Sequence, residues 1–147
     1  MTDSNVLDHS RFLRWSLRGN AIFSTLSGLV FALGSAHVAG LLGEGIPAAL
    51  VASVGGQLLI FAAALVWLAS RATLPVPAVV AVILADLLWV LGTIVVVQLE
   101  LFSARGTEIA IVVADVVLLM AILQSVGLHR LRRGARIPAV PSAVRLG

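Results

Sequence analysis

Residues 75–98 read PVPAVVAVILADLLWVLGTIVVVQ. At 1.5 Å per residue this run crosses a hydrocarbon core about 30 Å thick. It carries a single acid, Asp86, near its middle. Lipid offers no partner for backbone N–H and C=O groups, so a run of this kind has to be helical. Working outward, three more apolar runs of the same kind flank it. The four predicted spans are about 20–42, 47–69, 76–98 and 107–128.

The rest of the chain agrees with a membrane setting. Of 147 residues, 60% are apolar and only 12% are charged, and the mean hydropathy is +1.09. A water-soluble domain of this size has too little interior to hide so much apolar surface. One integral membrane domain, residues 1–147, is predicted. The run after the first arginines is too long for the core of a secretory signal, and no small-x-small cleavage site follows it. It is therefore read as a span.

Before the first span, Arg11, Arg14 and Arg18 recur at helical spacing among Phe12, Leu13, Trp15 and Leu17. This predicts a short amphipathic helix at the headgroup level, anchored by Trp15. Gly43–Ile46, Ser70–Pro77 and Leu99–Gly106 are predicted loops, with Thr107 and Glu108 starting the last span. The tail 134–147 has two prolines and no periodicity, and disorder is expected there.

All ten basic residues are arginine. With the N-terminus in the cytoplasm, Arg11, Arg14, Arg18, Arg71 and the five arginines of the C-terminal tail lie on that side, and only Arg105 lies outside. The positive-inside bias selects this threading, with both termini cytoplasmic. The absence of lysine resembles the codon bias of a GC-rich bacterial genome, which points to a bacterial inner membrane. The high isoelectric point is thus accounted for by orientation and by anionic lipid, and no nucleic-acid partner is expected. The chain has no cysteine, which excludes disulfides, thiol redox chemistry and Cys-ligated clusters.

In the first span Asn20, Ser24, Ser27, Phe31 and Gly34 share one helical stripe. Ser24-xxx-Gly28, Ala36-xxx-Gly40, Ala49-xxx-Ser53 and Ala52-xxx-Gly56 are small-xxx-small pairs, and Gly55-Gly56 reads as a close helix contact, since such residues let backbones approach in lipid. A charged acid at the depth of Asp86 costs at least about 2.5–3.5 kcal/mol, so it has to face the bundle. Trp89 and Thr93 lie on the same face, and either of them, or a serine of the first span, is the expected hydrogen-bond partner. Asp115 in the last span is predicted at nearly the depth of Asp86. Gln57 lies inside the second span, and Gln124 lies opposite Asp115. The predicted buried polar core is Asn20, Ser24, Ser27, Gln57, Asp86, Trp89, Thr93 and Asp115. Two roles compete for it: hydrogen bonds that hold helices together, each about 0.6–2 kcal/mol, or a proton-titrating site for coupled transport.

His37 and His129 fall at opposite ends of the bundle, so they cannot ligate one iron, and no cofactor or metal is expected. No G-x-S-x-G, H-E-x-x-H, P-loop or nicotinamide fingerprint is present, so the chain is not expected to be an enzyme.

The runs Asn20-Ala21-x-Phe23-Ser24-x-x-Ser27-Gly28 and Ala85-Asp86-Leu87-Leu88-Trp89-Val90-Leu91-Gly92 resemble those of small four-span bacterial integral membrane proteins. The DoxX-like proteins share the four-span plan without a matching motif. This resemblance implies a fold and no activity. The small multidrug-resistance exporters are similar in size and span number, but an essential Glu on their first helix has no counterpart here, and Asp86 would have to replace it.

The sequence therefore predicts an all-α, four-helix transmembrane bundle with a short interfacial helix at its start. The expected function is that of a non-enzymatic membrane protein, an accessory or assembly subunit whose partners are lipid and other subunits or further copies of itself. The alternative is a proton-coupled transporter of a small solute that uses Asp86 and Asp115.

Overall fold

The computed structural model describes residues 2–134, with side chains from Ser10 to Arg133. The predicted central run forms α4, Val76–Gln98, entered through Pro75 in extended backbone. The missing N–H of a proline does no harm before the first turn. The second span forms α3, Ala48–Ser70, entered through Pro47. The last span is longer than predicted: α5 runs Ala104–Gly134. It starts before Thr107 because the Ser103 Oγ accepts the Gly106 N–H at 3.0 Å, an N-cap missed in the sequence. It continues through His129, Arg130, Arg132 and Arg133, since arginine is a good helix former. The predicted disordered tail, apart from Gly134, lies outside the described residues.

The first span departs most from expectation. The arginine-bearing segment is not a separate helix: it is continuous with the span in α1, Thr2–Leu33, and a second helix, α2, covers Ser35–Leu42. The two are bent by 94°. The break falls at Gly34-Ser35, the kind of pair at which sharp kinks occur. A side chain at Gly34 would press on the Val30 carbonyl at 2.8 Å.

α1 lies between α3 and α5, α4 packs on α5, and α2 crosses one end against α3 and α5. α4 makes no comparable backbone approach to α1 or α3. The most extensive helix contact is that of α1 with α3. A Cβ on Gly55 would sit 2.5 Å from the Ala32 nitrogen and 2.8 Å from the Gly28 carbonyl oxygen. Glycine is required there, as the sequence suggested for the Gly55-Gly56 pair, but Gly56 itself meets nothing within 4 Å.

The two ends of the bundle differ. At one end Arg14 donates to the Ala69 carbonyl at 2.7 Å and to the Ala72 carbonyl at 2.8 Å, satisfying backbone oxygens that the end of α3 leaves unpaired. Arg71 stacks over Trp67 at 4.0 Å and Arg130 lies over Phe12 at 5.5 Å, so residues 12–14, the 71–75 loop and the end of α5 share this end. Trp15 is 69% exposed there. At the other end the Ser103 N–H donates to the Leu42 carbonyl at 2.7 Å and its hydroxyl to the Leu41 carbonyl at 3.0 Å, tying α2 to the start of α5. Glu44, Glu100, Arg105 and Glu108 are exposed at this second end.

Three helices are long and apolar enough to cross a membrane, and the bent α1–α2 pair makes a fourth if it counts as one span. Only 22% of the most apolar window of α3, α4 or α5 is buried inside the chain, so most of the apolar surface faces outward. Leu33, Ile60 and Leu88 are each 70% or more exposed. Water would not tolerate such a surface and lipid does. The chain is a membrane-spanning helical bundle.

The glycine crossing yields a direct test. Gly55→Leu is expected to force α1 and α3 apart and to cost about 1–3 kcal/mol, read as a lower unfolding midpoint in detergent micelles. The same change at the open Gly56 is expected to leave the midpoint within about 0.5 kcal/mol.

Candidate functional site

The interior is layered along the bundle. Next to the arginine end, Leu13 and Leu17 of α1, Leu65 and Leu68 of α3, Val79 of α4 and Leu128 of α5 form a closed apolar core. One turn further in lie Asn20, Asp86 and Gln124, which are 1%, 3% and 0% exposed. Asn20 donates from Nδ2 to Asp86 Oδ2 at 2.8 Å, and Gln124 donates from Nε2 to the same oxygen at 3.3 Å. The Ser24 hydroxyl donates to Asn20 Oδ1 at 3.3 Å. That bond aims the amide N–H of Asn20 at the carboxyl. Three helices, α1, α4 and α5, are therefore joined at one oxygen atom. Both donors are neutral.

The partners of Asp86 differ from those predicted. Thr93 donates instead to the Trp89 carbonyl of its own helix at 3.0 Å. Trp89 sits about 4.5 Å further along the axis of α4, and its buried indole N–H has no partner among the described residues. A short carboxyl projecting from a helix meets donors on facing helices more readily than side chains stacked beside it.

Asp115 is exposed and does not pair with Asp86. The reason is helical phase: at about 100° per residue Asp115 and Gln124 lie half a turn apart on α5. With Gln124 turned inward, Asp115 has to point out. Gln124 is the buried residue that the predicted core omitted. The signal for it was present, since Asp115 and Gln124 mark opposite faces of one helix and only one face can meet Asp86. The buried Gln124 Oε1 has no partner among the described residues.

Beyond the polar layer is a cavity of about 220 Å³. Its polar lining comes from Asn20, Ser24, Ser27, Gln57 and Asp86, and its aromatic lining from Phe23, Phe31, Phe61 and Trp89. Gln57, predicted to be buried, is exposed and stands at the cavity edge. Ser27 is half-buried and turned to the cavity, as its stripe suggested. His37 and His129 are both exposed, on α2 and α5, and stand at opposite ends. Among the described residues no three His, Asp or Glu side chains gather where they could hold a metal.

The cluster behaves as a unit, and that can be measured. Asn20→Val removes the shorter donor from Asp86 and is expected to cost about 1–3 kcal/mol, because a buried acceptor is left poorly met. The triple change Asn20→Val, Asp86→Leu and Gln124→Leu removes the acceptor and both donors and is expected to cost less than the single change. Unfolding in micelles compares them. A triple variant weaker than Asn20→Val would mean that the three groups do not depend on one another.

No family model, curated protein or solved structure matches the chain.

Proposed function

We propose that this chain is a non-enzymatic protein of a bacterial inner membrane that binds a small solute in its central cavity. Asp86 exchanges that solute against a proton as it crosses. The observation that carries this reading is the polar and aromatic cavity beside Asp86. Residues serving only to join helices would close upon one another. Here both amides use Oδ2 of Asp86, the Trp89 N–H has no partner among the described residues, and Ser27 and Asp86 line an open volume. A concave, largely apolar site with a few convergent polar groups is the usual form of a small-molecule site. Without its Asp115 partner, the transport reading rests on Asp86 alone. The threading that fits is the one with both ends in the cytoplasm, since Arg14, Arg71 and Arg130 cluster at one end of the bundle.

Trp89 is a built-in reporter once Trp15→Phe and Trp67→Phe remove the other two indoles. In lipid nanodiscs, titration with neutral, anionic and cationic solutes is expected to give a saturable change in Trp89 emission for at least one class. Ser27→Phe, which fills the cavity, is expected to abolish it. In liposomes, solute flux driven by a pH gradient is expected for the native chain and lost in Asp86→Asn. Binding by no class would sink the reading, and undiminished flux in Asp86→Asn would remove the acid from the exchange.

A separate observation favours the assembly role. Asp115 is exposed about 10 Å beyond Glu108 along α5, where an outward carboxyl facing lipid is costly. A second protein surface, from another copy or another subunit, relieves that cost. In mild detergent the native chain is expected to run as an assembly that Asp115→Leu dissociates. A native chain that is already monomeric and copurifies with nothing would end the assembly reading.

A further inference from the structure

We propose that the cavity takes a small lipophilic ammonium ion, admitted sideways from the bilayer between α3 and α4; this rests on the solute-binding reading above.

The charge argument starts from Asp86. Its only described partners are the amides of Asn20 and Gln124, and both meet Oδ2. Amides orient a carboxyl but do not balance its charge, and an unbalanced carboxylate at this depth is unfavourable. Arg18, two residues from Asn20, is exposed with its guanidinium over Trp15 at 5.8 Å, and no arginine or histidine is among the described residues that line the cavity. An ammonium head completes the site: it donates to the free oxygen and supplies the missing charge.

The walls agree with this head group. Phe23, Phe31, Phe61 and Trp89 line the same volume, and aromatic faces attract cations most strongly where water is excluded. At about 220 Å³ the cavity is smaller than sites for drug-sized ligands, which run about 300–1,000 Å³. The body of the ligand is therefore no larger than one ring with a short alkylamine. An ether, carbonyl or hydroxyl oxygen on it would meet the Trp89 N–H.

The route follows from exposure. Among the residues lining the cavity only Gln57 of α3 and Ala85 of α4 are exposed, so the mouth lies on the seam between those helices. Their backbones approach far less than those of α1 and α3. On the arginine side the cavity is closed by the apolar core of Leu17, Leu65 and Val79. Outside the mouth stand Ile60, 74% exposed, and Leu88, 70% exposed, each about one turn from Gln57 or Ala85. A mouth rimmed by apolar side chains halfway along two spans opens onto acyl chains.

The test uses the single-Trp89 protein in nanodiscs. N,N-dimethylbenzylamine, cationic at neutral pH, is compared with isobutylbenzene, an uncharged molecule of nearly the same shape. Saturable binding is expected for the amine, with isobutylbenzene at least about tenfold weaker. Asp86→Asn is expected to weaken the amine by about tenfold or more and isobutylbenzene little. Phe61→Leu, which leaves the acid in place, is expected to weaken the amine more than the uncharged compound. Ala85→Trp, at the mouth, is expected to slow association of the amine by about tenfold. Equal affinity for the two compounds, or an amine affinity unchanged in both Asp86→Asn and Phe61→Leu, overturns the ammonium assignment and leaves the solute-binding reading standing. An association rate unchanged in Ala85→Trp overturns the sideways route. Binding of no solute in any class overturns the underlying reading as well.

Discussion

A carboxyl halfway along an apolar helix has to be met by donors from other helices, and the arrangement of this bundle follows from how Asp86 is met. α4 leans on α5 and makes no comparable backbone approach to α1 or α3. What ties its middle to the rest is the carboxyl, which receives Asn20 from α1 and Gln124 from α5. In water such bonds would exchange with solvent for little net gain. In lipid the alternative to each bond is an unmet polar group, so the three residues set the rotation of their helices about their axes. Once Gln124 faces inward, Asp115 faces outward. The same choice that completes the polar layer creates the polar spot on the outside.

The cavity has an equally simple origin. α1 and α3 are drawn together because Gly28 and Gly55 leave no side chain between them. α4 makes no comparable approach to them, and Phe23, Phe61 and Trp89 line the space between. Two helices in close contact beside a third held at a distance leave a space, and its walls are whatever those helices present. Here they present hydroxyls, two amides and a carboxyl together with aromatic rings. The broken first span serves the same geometry. α1 turns at Gly34, and α2 crosses the end of the bundle to bond the start of α5 through Ser103. That tie fixes the second end of the bundle while the arginine end is closed by the apolar core and by the contacts of Arg14 with α3.

Much of this was legible in the residues taken alone. Apolar runs long enough for a bilayer, prolines at Pro47 and Pro75, and arginines at alternate loops determined the helical class, the location of α3 and α4 and the sharing of one end by Arg14, Arg71 and Arg130, because each depends only on composition along the chain. The inward turn of Asn20, Ser24 and Asp86 was also visible, since polar groups in a span avoid lipid. Only the tertiary structure decided the rest. It broke the first span at Gly34, chose Gln124 over Asp115 as the partner of Asp86, moved Gln57 to the cavity edge and left the Trp89 N–H with no partner among the described residues. These outcomes depend on which helices are neighbours and on how each is rotated. Neither property is encoded locally, because it is fixed by side chains meeting across distances that only the folded chain sets.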